Sequence, residues 1–83
     1  MKITLKYFAS IREAIGLGRE QVDSLAPNLS ALRDELIARG GPHAQALARG
    51  KTLRVAQNQV MASETASLHE GDEIAFFPPV TGG

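Results

Sequence analysis

The chain has 83 residues, with nine basic and nine acidic side chains that give a formal net charge of zero at pH 7. Without excess positive charge, the sequence predicts no binding to nucleic acid or to an anionic membrane surface, and no partner attracted by overall charge. The absence of cysteine excludes disulfides, thiolate metal ligands and a thiol nucleophile on this chain.

The first predicted elements are two antiparallel strands. Apolar residues alternate with more polar ones across residues 2–9, and this period of two predicts a half-buried strand. Gly16 and Gly18 then predict a turn, and residues 20–25 predict a returning strand after a loop of more than two residues. The core side of the first strand is expected to carry Ile3, Leu5 and Tyr7.

The middle of the chain predicts one main helix. Its apolar face is expected to carry Leu29, Leu32, Leu36 and Ile37, with Asn28 as N-cap and Gly40-Gly41 as the C-terminal stop. The charged side chains are expected in solvent: Arg33, Asp34, Glu35 and Arg39. A short second helix is predicted to begin at Pro42 and to end at Gly50.

Further strands are predicted in the last third of the chain. Leu53, Val55 and Val60 indicate a middle strand, or a pair of strands around the polar turn at 57–59. A turn at 70–72 then precedes a last strand at 73–77. The whole pattern predicts an α+β fold in which the main helix packs across one face of a single mixed sheet.

Conventional catalytic and metal-binding patterns are absent from the sequence. His43 and His69 have no ligand-like spacing, and both are expected to lie in solvent. No serine stands in a nucleophile-elbow pattern, and Gly16-Leu17-Gly18 lacks the third glycine of a dinucleotide-binding loop. We therefore expect no catalytic side-chain constellation on this chain.

Two phenylalanines are candidates for an interaction surface. Strand alternation places Phe8 and Phe77 on the face opposite the core, whereas it places Ile74 and Phe76 inside. If the first and last strands are neighbours, Phe8 and Phe77 form an exposed apolar patch of the kind that marks a binding site. The alternation leaves a second possibility, in which a local twist or bulge turns one of the two rings into the core.

The segment 78–83 differs from the strand before it. Pro78 and Pro79 lack backbone donors and end the sheet ladder, so we expect a flexible extended tail. Six extended residues reach at most about 20 Å, and Gly82 and Gly83 have no side chain to block entry into a narrow pocket. The alternative is a disordered end without a function.

Three stretches carry a family resemblance: "LHEGDEIAFFPPVTGG", "ITLKYFASIREAIG" and "APNLSALRDELIARG". They resemble the end, the first strand and the helix of the small, sulfur-carrying subunits of molybdopterin synthase, which are ubiquitin-like β-grasp proteins. The segment "LRVAQNQV" departs from the family pattern, which leaves the register of that strand open. Lys51 matches a basic position of the family without an assigned role.

The resemblance implies a carrier that has no bound cofactor and is not catalytic alone. An activating adenylyltransferase uses ATP to adenylate the carboxylate of Gly83, and sulfur then replaces the adenylate. The thiocarboxylate enters the large synthase subunit, in a heterotetramer of two small and two large subunits, and donates sulfur to a cyclic pyranopterin precursor. The expected partner-binding residues are Phe8, Phe77, Pro78, Pro79, Val80, Thr81 and Gly82.

Other readings of the same features remain. A sulfur carrier for thiazole synthesis and a ubiquitin-like protein modifier also end in two glycines, and a plain interaction module needs no reactive tail. Because no long apolar run and no cleavage-site pattern occur, we predict one unprocessed cytoplasmic domain, residues 1–83.

Overall fold

The computed structural model describes residues 1–79, which form a single mixed sheet and three helices. The strand order is β2-β1-β5-β3-β4, with β1 parallel to β5 and the other neighbouring strands antiparallel. The predicted α+β class is confirmed, and the arrangement is the ubiquitin-like β-grasp that the resemblance implied. The elements are β1 (Lys2–Tyr7), α1 (Ala9–Ile15), β2 (Arg19–Asp23), α2 (Leu29–Ala38), α3 (Gly41–Ala46), β3 (Arg54–Gln57), β4 (Val60–Ala62) and β5 (Glu73–Phe77).

The core lies between the sheet and the helices. Apolar side chains from both layers are buried there, and burying one such side chain contributes about 1.5–3 kcal/mol. The contacts between these side chains hold α2 against the sheet. Within the described part of the chain, no helix has the length and apolar character needed to cross a membrane. The largest fully buried side chains are Tyr7, Phe76, Ile3, Leu5, Leu29, Leu32, Leu47 and Ile74.

The first predicted strand is too long, because a helix begins directly after it. β1 ends at Tyr7, and α1 occupies part of the segment that was expected to be a loop. Ile11 and Ile15 lie four residues apart on one side of α1, and both are buried. Gly16 ends this helix in the left-handed conformation, with φ of 85°. The returning strand is β2, at Arg19–Asp23 rather than 20–25.

The predicted beginning of the main helix is confirmed. Asn28 is the N-cap of α2, and its side chain accepts a hydrogen bond from the amide of Ala31 at 2.8 Å. This bond satisfies one of the amides that have no partner inside the helix. The second helix, α3, is shorter than predicted and ends at Ala46.

The expectation that Arg33 lies in solvent is wrong. Its side chain is only 4% exposed and reaches the segment after α3, where Nε donates to the carbonyl of Leu47 at 2.8 Å and Nη2 to that of Ala48 at 2.6 Å. Nη1 donates to the carboxylate of Glu64 at 2.7 Å. Because a guanidinium is a planar group with five donors, one buried arginine holds several chain segments together.

The prediction that His43 lies in solvent is also wrong, whereas His69 is exposed as expected. His43 is buried, and its Nε2 lies 2.8 Å from Glu20 Oε2, to which it donates because a carboxylate can only accept. Tyr7 and Arg39 donate to the same carboxylate at 2.8 and 3.0 Å. Burial raises the pKa of Glu20, but the hydrogen bonds from His43, Tyr7 and Arg39 outweigh it and hold the pKa below its usual value.

The last third contains the predicted pair of strands. β3 and β4 form a hairpin, and Asn58 and Gln59 at its turn have positive φ of 52° and 70°. Positive φ at both central residues is the geometry that two-residue hairpins favour. β5 has the predicted bounds, and it lies between β1 and β3.

Candidate functional site

The carboxyl ends of β1 and β5 lie side by side at one end of the sheet, because these neighbouring strands run parallel. Tyr7 lies opposite Phe76, and the amide of Phe8 donates to the carbonyl of Phe76 at 3.1 Å. This backbone bond fixes Phe8 beside Phe77. The segment that follows Phe77 therefore leaves the sheet next to Phe8.

Phe8 and Phe77 pack against each other on the outer side of the sheet. Their ring centroids are 6.3 Å apart and their planes are inclined by 84°, an edge-to-face arrangement. Phe8 is 46% exposed and Phe77 is half-buried, whereas Phe76 is 1% exposed in the core. Of the two possibilities that the alternation left open, the structure has the surface pair. Phe76 belongs to the core, as predicted.

The aromatic pair continues into an apolar strip on the open face of the sheet, which is the face opposite α2. Ala75 lies opposite Ala56, and Ala56 lies opposite Met61 in β4. The two alanines are each 8% exposed, and Met61 is 52% exposed. We call this surface the apolar strip: Phe8, Phe77, Ala75, Ala56 and Met61.

Ala56 and Met61 were not among the residues predicted to bind a partner. Met61 joins the strip through the register of β3 and β4, and that register was left open because "LRVAQNQV" departs from the family pattern. The available signal was an apolar pair, Val60 and Met61, directly after a polar two-residue turn. Such a pair predicts a hairpin strand but does not indicate which of its residues shares a face with Phe77.

The two prolines are the first residues of the segment that leaves the sheet. Both are half-buried and neither belongs to a strand, in agreement with the prediction that they end the ladder. Pro78 lines a cleft of about 130 Å³ together with residues of α1 and the exposed Lys51. Pro79 lines a second cleft, together with Leu53 and Met61. Val80, Thr81, Gly82 and Gly83 lie outside the described residues.

Two carboxyl groups with lowered pKa, those of Glu20 and Asp72, lie away from the apolar strip. Glu20 points to the opposite face of the sheet, and Asp72 precedes the other end of β5. Burial raises the pKa of Asp72, but hydrogen bonds from Asn58, Gln57 and the backbone of His69 outweigh it and lower the pKa below its usual value. These carboxylates fix loops and strands rather than approach the strip.

The arrangement is suited to binding a partner. The strip offers apolar and aromatic area that a partner can cover, next to the point where the chain leaves the sheet. Within residues 1–79, no group of three histidine, aspartate or glutamate side chains is placed to hold a metal ion.

The sequence matches the model of the ThiS family over residues 5–83. It is also similar to the molybdopterin synthase sulfur carrier subunit of Escherichia coli (strain K12), with 43% identity over 81 residues. That alignment covers 98% of this chain and 99% of the relative. The agreement therefore extends over nearly all of both chains.

Two solved structures show the same fold. The small archaeal modifier protein 1 (SAMP1) of Haloferax volcanii has a TM-score of 0.78 and 26% identity, and the alignment covers 100% of both chains. The other is one chain of a complex of subunits 1 and 2 of the molybdopterin-converting factor from Helicobacter pylori 26695. It has a TM-score of 0.67 and 25% identity, and the alignment covers 100% of both chains.

Proposed function

This chain belongs to the ThiS family, and from that premise we propose that it is the sulfur carrier subunit of molybdopterin synthase. The observation that carries the proposal is its 43% identity to a curated carrier subunit across 98% of the chain. The position of the apolar strip, at the point where the C-terminal segment leaves the sheet, supports it. On this proposal the chain is the non-catalytic subunit of a sulfurtransferase.

The reactive group is the carboxyl group of Gly83. An ionised carboxylate is a poor electrophile, so an adenylyltransferase first joins it to the adenylate of ATP and releases pyrophosphate. A sulfur nucleophile then displaces AMP and leaves a thiocarboxylate. ATP and the adenylation chemistry belong to the activating enzyme, and no cofactor is held by this chain. The thiocarboxylate finally donates its sulfur to a cyclic pyranopterin precursor, and two such donations form the dithiolene.

The described residues provide docking and direction. Phe8 and Phe77 supply the aromatic contact with the large subunit and with the activating enzyme, in turn. Pro78 and Pro79 restrict the backbone, which lowers the entropy lost when the tail is held in a pocket. Val80 to Gly83 span the distance to the reaction centre. The H. pylori complex of subunits 1 and 2 supports the large subunit as a partner, and the cytoplasmic location predicted from the sequence is part of the same proposal.

Intact-mass measurement tests the carrier function directly. The protein is incubated with the activating enzyme, ATP and a sulfur donor, and we expect a mass increase equal to the exchange of one oxygen for sulfur. A variant without Gly83 should show no such species while it keeps its thermal stability. If the wild-type protein gains no sulfur under these conditions, the proposal fails.

A second candidate function is covalent modification of other proteins, which the similarity to the modifier protein of H. volcanii favours. In that case Gly83 would be joined to lysine side chains of target proteins. The same mass measurement on protein isolated from its native cells separates the two functions, because conjugates are larger than the chain by the mass of a whole protein. A carrier for thiazole synthesis is distinguished by the precursor that accepts the sulfur.

A further inference from the structure

The open face carries arginines on both sides of the Phe8–Phe77 pair. In β3, Arg54 lies directly opposite Phe77, so both side chains project from the open face. In β2, Arg19 lies opposite Lys6, which precedes Phe8 by two residues on the same face. Since the strand order is β2-β1-β5-β3, one arginine lies on each side of the aromatic pair.

These two arginines differ from three other arginines of the chain, which pair with carboxylates. Arg33, Arg39 and Arg49 each form ion pairs with glutamate or aspartate. Arg19 and Arg54 are exposed, and neither has an ion-pair partner among residues 1–79. Their charges are thus available to a partner that covers the strip.

The rest of the open face does not cancel this charge. Glu73 lies on the same face, but its Oε1 is 3.3 Å from Nζ of Lys6, so the two charges neutralise each other. Asp23 lies opposite Lys2 at the far end of the face. The zero net charge of the chain therefore conceals a local positive excess around the aromatic pair.

We propose that the partner surface that covers the apolar strip is an apolar patch bordered by carboxylates, which face Arg19 and Arg54. This inference rests on the proposed function, in which that partner is the large synthase subunit. Phe8 and Met61, which are 46% and 52% exposed, offer most of the apolar area of the strip that a partner can cover. An apolar centre with a charged rim is the usual composition of a protein interface.

The two parts of this surface have different effects on binding. The exposed apolar side chains of the strip provide affinity, because they lose contact with water when the complex forms. The arginines at the rim attract the acidic border of the partner from a distance, which raises the association rate and selects the orientation. A partner with a neutral or basic border would bind more slowly, and like charges would oppose it.

Charge reversal of one rim arginine tests the inference. We would prepare Arg54→Glu, Arg54→Gln and the control Lys2→Glu, and measure association and dissociation rates with the purified large subunit. Lys2→Glu makes the same change in net charge on the same face, but about 20 Å from Phe8 along β1. Thermal unfolding of each variant verifies that the fold is kept.

We expect Arg54→Glu to lower the association rate about tenfold at about 50 mM salt, with a smaller loss for Arg54→Gln. The difference from wild type should shrink at about 0.5 M salt, because the ions screen the interaction. Lys2→Glu should stay within about twofold of wild type, and Arg19→Glu should resemble Arg54→Glu.

Two results would overturn the inference. If Arg54→Glu and Lys2→Glu bind equally well, or if Arg54→Glu binds faster than wild type, the border of the partner is not acidic. In that case the sulfur-carrier function stands as long as the wild-type protein still acquires sulfur and binds the large subunit. A wild-type protein that neither acquires sulfur nor binds the large subunit would refute both.

Discussion

The contrast between Phe8 and Phe76 gives the sharpest test of the site. Full burial of a phenylalanine contributes about 1.5–3 kcal/mol, and Phe8 keeps 46% of its surface exposed. Phe8→Ala loses about half of that contribution and the edge-to-face contact with Phe77, so we expect a stability loss of about 1–2 kcal/mol. Phe8 is the N-cap of α1 but makes no side-chain capping bond, so no hydrogen bond is lost.

Phe76→Ala should be much more harmful to folding. Phe76 is 1% exposed, and its ring is stacked on that of Tyr7 with centroids 6.3 Å apart. Removing a fully buried phenylalanine costs about 3–5 kcal/mol, because a cavity remains. At about 0.05–0.15 kcal/mol per residue, a domain of this length has only about 4–12 kcal/mol of stability. Phe76→Ala should therefore remove a large part of it.

Urea denaturation and calorimetric titration with the large subunit separate the two effects. Phe8→Ala should stay folded and raise Kd at least about tenfold, as expected for an aromatic side chain at the centre of an interface. Phe76→Ala should shift the unfolding midpoint strongly. Equal stability losses for the two variants would mean that Phe8 is a core residue, and an unchanged Kd for Phe8→Ala would refute its role in docking.

Four further changes test particular contacts. Asn28→Ala removes the side-chain cap of α2 and should cost about 1 kcal/mol in urea denaturation, whereas no loss would mean that another group caps the helix. Gln59→Gly relieves a φ of 70° at the β3–β4 turn and should raise stability by about 0.5–1 kcal/mol, and a decrease would contradict this. Arg33→Met leaves the carbonyls of Leu47, Ala48 and Lys51 without their donor, while Glu64 keeps its ion pair with Arg49. It should cost about 1–3 kcal/mol by the same assay, so an unchanged midpoint would contradict the structural role of this group. In the folded protein the pKa of Glu20 lies below its usual 4.5, so its contribution to stability is present above that pH and is lost as the pH falls through the folded pKa. The difference in the free energy of unfolding between wild type and Glu20→Gln should therefore narrow from about pH 7 to about pH 3. A constant difference would contradict the pKa shift.

Local sequence signals identified most of the architecture. The alternation in the first strand, the capping position Asn28 and the bounds of β5 each depend on neighbouring residues, and all agree with the structure. α1 was missed because seven residues with two buried isoleucines carry too short a helical period to be distinguished from a loop. The boundary between Phe76 and Phe77 was predictable because side chains alternate along a strand.

The burial of two other side chains, Arg33 and His43, depended on distant parts of the chain. Arg33 is buried because its guanidinium meets carbonyls 14 to 18 residues away and a carboxylate 31 residues away. His43 can be buried because Glu20, 23 residues earlier in the chain, accepts a hydrogen bond from its imidazole ring. A helical pattern places a charged residue on one side of a helix, but it does not indicate whether another segment will cover that side.

The sequence by itself determined the class of fold, the proposed reactive terminus and the two aromatic candidates at the docking surface. Only the tertiary structure decided that Phe8 and Phe77 touch, that Ala56 and Met61 extend their strip, and that Arg19 and Arg54 border it. The physical reason is that strand order and register are set by long-range pairing between segments. A strand's own sequence fixes which of its residues share a face, whereas strand pairing decides which residues of the neighbouring strands lie beside them on that face.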